Sequence, residues 1–181
     1  MIDPAGGPYL FDTSGESWLA RAGNAAATAW MRAYLAHAEI HVSAITVVER
    51  VRGYGLLWRK SAPGQRERIE AARIEYLGRG ARVLPVDAAV AVIGGELMAL
   101  VPNPPTPSRR THRMVEARAD RLARWRFDQM IAATALVSGM RLIHNNAADF
   151  EPLRTAVEQA PERFAGLGPL ELARCTGLAC A

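Results

Sequence analysis

The stretch Asp128-Gln129-Met130-Ile131-Ala132-Ala133-Thr134-Ala135, followed past Gly139 by Arg141-Leu142-Ile143-His144, decides the class of fold. The first part combines a helical apolar pattern with small residues that let a helix lie close against a sheet, and Gly139 suits its end. The second is a short apolar run and reads as a buried strand. Upstream, Pro8 to Asp12, Glu39 to Ser43 and Arg82 to Val86 read as three further strands, the last with its proline at a strand end. Helical patterns separate them: Glu16 to about His37, broken near Gly23-Asn24, then Thr46 to about Trp58, and Pro63 to Leu77 closed by Gly78 and Gly80. Asp87 is placed to cap a helix running to Val101, and helical pattern resumes from about Ser108 to Ser138. Downstream, one helix to about Ala160 and a short strand near Leu170–Leu172 are expected. Strands alternating with helices predict an α/β domain whose short parallel sheet is covered on both faces.

At 181 residues one compact domain spanning 1–181 is expected, with a core over about 9–150 and a C-terminal extension over 151–181. Pro102-Asn103-Pro104-Pro105-Thr106-Pro107 breaks the pattern but is too short for a domain linker. Hydrophobic residues make up 50% and charged residues 22%, an ordinary balance for a soluble protein. No apolar run approaches the roughly 20 residues that span a bilayer, and the first seven residues show neither a basic nor an apolar leader. No membrane association is expected. Cys175 and Cys180 crowd the C-terminus, where they match no zinc spacing, and a reducing cytoplasmic location is the expectation.

Four acids follow a strand or fall at a helix start. Asp12 ends the first strand, at the sheet edge where open α/β domains bind ligands, although a helix cap or Asx-turn explains it equally well. Glu49 stands three residues after Thr46, the spacing of a capping box. Asp128 reads as a cap or as a mid-helix acid if the preceding helix runs through. Asp149 follows the fourth strand and could cap a short helix. Each has a local structural explanation, yet in a parallel sheet the loops after the strands share one edge, so all four carboxylates can converge there. Clustered carboxylates repel unless a cation neutralises them, and oxygen-only donors favour Mg²⁺ or Mn²⁺. Such a site suits phosphodiester hydrolysis.

Taken together, Leu10-Phe11-Asp12-Thr13-Ser14, Ser43-Ala44-Ile45-Thr46-Val47-Val48-Glu49, Val83-Leu84-Pro85-Val86-Asp87, and the Asp128 block leading to Leu142-Ile143-His144-Asn145-Asn146-Ala147-Ala148-Asp149-Phe150 resemble the PIN-domain family. Within it they resemble the VapC-type ribonuclease toxins of toxin–antitoxin pairs. The resemblance covers about Tyr9 to Phe150. It implies a three-layer α/β/α PIN-like domain and a Mg²⁺- or Mn²⁺-dependent endoribonuclease acting on RNA. It further implies a cognate antitoxin protein as partner and a homodimer formed through exposed apolar helix faces. By the same resemblance Asp12, Glu49 and Asp128 are the principal acids and metal ligands. Where many members carry a threonine and, two residues on, an acid, this chain has His144 and Asn146, so Asn146 and Asp149 are the fourth-position candidates. Ser14 is expected to orient Asp12. Asp87 is read as a cap outside the site, and His41 and His144 as packed core residues.

The arginine usage is lopsided: net charge is +4, and Lys60 is the only lysine among 22 basic residues. An Arg-rich helical insertion is expected over about 102–126, holding Arg109, Arg110 and Arg113, either as a solvated face or as an RNA backbone contact. Two rival readings stay open at this point. One is a catalytically weak PIN-like module that binds RNA or protein, kept alive by Asn146. The other is an aspartyl-phosphate enzyme using Asp12, which lacks the second aspartate that one common class places where Ser14 stands.

Overall fold

The computed structural model describes residues 2–19, 25–105 and 118–175. Strands β1 (Tyr9–Phe11), β2 (His41–Ser43), β3 (Arg82–Leu84), β4 (Arg141–His144) and β5 (Leu172–Arg174) form one parallel sheet in the order β3-β2-β1-β4-β5. The chain builds outward from β1 to β3 and then returns to place β4 on the other side of β1. The β1–β4 junction is therefore the switch point at which adjacent loops part and leave a crevice.

Alternation along the strands divides the core into two layers. Leu10 and Leu142 face helices α5 (Ala88–Leu100), α6 (Arg118–Ser138) and α7 (Ala147–Gln159). Tyr9, Phe11, Val42 and Ile143 face α2 (Ala25–Leu35), whose Trp30 and Tyr34 stack at 5.2 Å between ring centroids. The domain is thus the expected three-layer α/β/α sandwich. Helix α1 (Thr13–Leu19) leaves β1 directly, and α3 (Ala44–Lys60) leaves β2 and pairs with α4 (Pro63–Leu77).

Asp87 caps α5 as expected, accepting from the Val90 amide at 2.9 Å. Two local expectations are corrected. The Thr46–Glu49 capping box does not form: Ser43 caps α3, accepting from Ile45 N at 3.3 Å, while Thr46 is buried and Glu49 finds a partner elsewhere. Of the two readings of Asp128, the mid-helix one holds, since α6 begins ten residues earlier, at Arg118. Asp149 is not the cap of α7, which Asn146 precedes; it sits in the first turn. The final strand is β5 at 172–174, slightly later than expected. The helical expectation over 108–117 lies outside the described residues.

Close approach at the switch point depends on one glycine. A Cβ on Gly15 would stand 2.5 Å from the Ile143 carbonyl oxygen and 3.1 Å from Asp12 Oδ1. Gly15→Ala is therefore expected to cost about 1–3 kcal/mol in urea denaturation, as overpacking against backbone does; unchanged stability would show that α1 does not pack on β4 this closely.

Candidate active site

Because β1 is so short, Asp12 follows it at the carboxyl edge of the sheet, with its amide donating to Ile143 O at 3.1 Å. The side chain is 4% exposed. Ser14 Oγ lies 3.0 and 2.8 Å from its two carboxylate oxygens, and the Gly15 amide donates to Oδ1 at 2.5 Å. Ser14 Oγ also accepts from the Asn145 amide at 2.9 Å, so one hydroxyl joins the turn after β1 to the turn after β4.

Glu49 lies in the second turn of α3 and accepts a short hydrogen bond from Thr13 Oγ1, across from the start of α1. Its neighbour Arg50 fixes the same junction. The Arg50 guanidinium donates to Glu16 Oε2 at 3.0 Å, Ser17 Oγ at 2.6 Å and Thr13 O at 3.3 Å, and lies over the Tyr76 ring. Neither Thr13 nor Arg50 was legible as part of the site, since each makes contacts more than thirty residues away in sequence.

Asp128 is presented from the middle of α6 and is 8% exposed. The roll of α6 is set by its neighbours. Gln129 Nε2 donates to Leu97 O at 3.2 Å and Val101 O at 2.8 Å, and Trp125 Nε1 donates to Val101 O at 2.9 Å. These bonds satisfy the Val101 carbonyl at the C-terminal end of α5 and give Leu97 O, which also accepts from the Val101 amide, a second donor. Thr134 Oγ1 meets Ser43 Oγ at 3.0 Å, tying α6 to the end of β2. On the β4 side, Asn146 Nδ2 donates to Asp149 Oδ2, and Asn146 N donates to His144 Nδ1 at 3.1 Å. His144 is fully buried against Phe150, and His41 is buried with Nδ1 2.9 Å from Glu39 O. Arg109, Arg110 and Arg113 lie outside the described residues.

The carboxylates feel one another. Burial pushes Asp128 up to about 8, and the charges of Asp149, Glu49 and Asp12 add to the rise while Arg124 opposes it. Burial pushes Asp12 up to about 6 against the hydrogen bonds from Gly15 and Ser14, with Glu49 raising it further. Glu49 is raised by burial and held back by Thr13 and by Arg124, Arg50 and Arg52. Among the described residues no three acidic, imidazole or thiol groups already stand close enough to cage an ion. Self-repelling carboxylates around a buried edge, all hard oxygen donors, nonetheless fit Mg²⁺ or Mn²⁺ and do not fit a soft metal.

Fold and site together describe an α/β domain with an acidic crevice at the carboxyl ends of its central strands. The PIN domain family model matches residues 9–153, and the chain belongs to that family. Among solved structures it is similar to a chain of DNA-bound VapBC from Salmonella typhimurium, at 19% identity and a TM-score of 0.56, covering 92% of this chain and 97% of that one. It is similar to a chain of VapBC2 from Rickettsia felis, bound to a fragment of promoter DNA, at 14% identity and a TM-score of 0.57, with 92% and 97% covered. FitAcB from Neisseria gonorrhoeae aligns at 25% identity and a TM-score of 0.52, with 81% and 93% covered. A search of curated protein sequences returned no match. No helix among the described residues is long and apolar enough to cross a membrane.

The raised carboxylates give stability a definite pH dependence. Between the ordinary aspartate value and about 8, the folded state holds more protons than the unfolded one, so stability falls as pH rises through that window. Without divalent ions, the melting temperature is expected to rise by about 5 °C from pH 8 to pH 6, and Asp128→Asn should remove most of that rise. Equal slopes for the two proteins in calorimetry would contradict the coupling.

Proposed function

We propose that the protein is a metal-dependent endoribonuclease of the VapC type, the toxin of a toxin–antitoxin pair. The observation that carries this reading is the mutual coupling of Asp12, Glu49, Asp128 and Asp149 at the switch-point edge of a PIN domain. In this reading Asp12, Glu49 and Asp128 hold Mg²⁺ or Mn²⁺. When bound, the ion supplies Lewis-acid activation for phosphodiester hydrolysis. The chain's own work is placement. Ser14 and Gly15 fix the direction of Asp12, Thr13 aims Glu49, and the Gln129–Trp125 bonds to the end of α5 hold Asp128 toward the crevice. With its amide nitrogen engaged by Asp149, Asn146 has its carbonyl oxygen left as a donor on the β4 side.

The likeness of fold to chains of VapBC and FitAB assemblies supports an antitoxin protein as partner. Exposed Leu57 on α3, Ile74 and Leu77 on α4, and Val92 on α5 offer apolar faces for that partner or for a second copy of the chain. One observation favours the alternative of a catalytically weak binding module: the fourth position carries a neutral amide, which lowers the negative charge available to a cation.

The test is cleavage of RNA by the purified chain with Mg²⁺. Asp12→Asn and Asp128→Asn should each lower the rate by more than about 100-fold, beyond what loss of an outer-shell partner costs, while the fold persists. Intact cleavage in both variants would overturn the metal-site assignment. Thr13→Val should act more gently, lowering the rate by about 10–100-fold and raising the Mg²⁺ requirement, because it frees Glu49 without removing it. A Thr13→Val enzyme with an unchanged Mg²⁺ requirement would show that Glu49 is not aimed from α1.

A further inference from the structure

A row of cations leads away from the acidic crevice. On α6, Arg121, Arg124 and Asp128 are separated by three and four residues and so share one stripe of the helix, with Arg124 about one turn from Asp128 and Arg121 about two. On α3, Glu49 and Arg52 share a face in the same way. The two stripes lie side by side: Arg52 Nη2 reaches Asp120 Oδ1 of α6 at 3.6 Å. Arg124 is exposed, yet near enough to Glu49 and Asp128 to favour the charged form of both. Among the described residues Arg121 Nε is buried with no hydrogen-bond acceptor, so this guanidinium is not spent on a partner within the domain through that atom.

We propose that Arg121 and Arg124, with Arg52 opposite, form a phosphate track that seats the RNA strand on one side of the bond to be cut and delivers it to the carboxylates. The inference rests on the nuclease reading and adds to it the residues that hold the substrate's backbone. Arginine suits the task because its planar fork takes two phosphate oxygens, and its charge remains fixed at any working pH. The geometry also accounts for the Arg52–Asp120 pair. Half-exposed on both sides, it costs little to open, so Arg52 can exchange a carboxylate for a phosphate. Within the crevice, acids and arginines divide the work: the acids attract a cation, and the arginines attract the anion that the cation acts upon.

The experiment measures binding apart from cleavage. A single-stranded RNA oligonucleotide is titrated against full-length Asp12→Asn protein over a range of salt concentrations, with and without Arg121→Gln and Arg124→Gln. Loss of two phosphate contacts should weaken binding about tenfold and lower the slope of log K against log salt by about 1.4. Arg59→Gln, which removes an exposed charge from the last turn of α3, should change neither. In the otherwise unsubstituted enzyme, Arg121→Gln alone should raise KM with kcat held within about threefold, since uniform binding is what is lost, whereas Arg124→Gln also removes a charge that favours the ionised form of Glu49 and Asp128. Because Arg124 is exposed, Arg124→Gln alone carries the test if the double variant unfolds, with an expected slope change of about 0.7. An unchanged slope overturns the track, as does an equal loss in Arg59→Gln. Cleavage that fails in the unsubstituted chain while the slope still responds would reject the nuclease reading and leave the track standing.

Discussion

Burial of like charges at the carboxyl edge of a very short sheet is the constraint on which the rest of the structure turns. Asp12 and Asp128 are almost wholly removed from water, and both are pushed toward the neutral form by burial and by neighbouring carboxylates. Leaving such groups together lowers the stability of the domain, and nothing in the packing of the core requires it. The surrounding residues hold the acids in place despite the repulsion. Ser14 and the Gly15 amide grip Asp12, Thr13 holds Glu49, and Arg50 pins the start of α1 onto α3. The proposed metal-binding role would account for this cost in stability.

The scaffold makes that concentration possible through two layers that never meet. The aromatic side, with Tyr9 and Trp30 stacked on Tyr34 and Phe11 edge-on to Trp30 and Tyr34, anchors β1 from one face of the sheet. The aliphatic side, with Leu10, Leu142 and α6, anchors it from the other. Asp12 follows the central strand of the sheet, packed on both faces, and rigid support is what a site built from repelling groups needs. The length of α6 serves the same end, because it carries Asp128 inward and the arginines outward on one continuous rod.

Much of this was legible before any coordinates. Alternating strands and helices made the parallel sheet and its layers readable, since each element's pattern reports its own burial. The position of Asp12 follows from the rule that loops after parallel strands share an edge, whereas Glu49 reaches that edge from the second turn of α3 and Asp128 from the middle of α6. The misreadings have one physical cause: local spacing was taken as decisive where tertiary contact wins. Thr46 and Glu49 have the spacing of a capping box, but Ser43 stands one residue before α3 and caps it first, while Thr13 claims Glu49. For Asp128 the spacing left a cap and a mid-helix acid open, and the charged turn before it, helical as well, decides for the second. Gln129, Trp125 and Arg50 gave no signal because their partners are carbonyls and side chains brought close only by folding.

The central claim is that these carboxylates share a charge burden that a divalent cation relieves. At pH 7, Asp128 is largely protonated in the metal-free protein, so a cation must displace its proton in order to use it. The most direct measurement is a calorimetric Mg²⁺ titration of the full chain at pH 7 in two buffers of different ionisation heat, which counts the protons released per ion. The account predicts binding with release of about one proton. No binding at millimolar Mg²⁺, or binding without proton release, would contradict it.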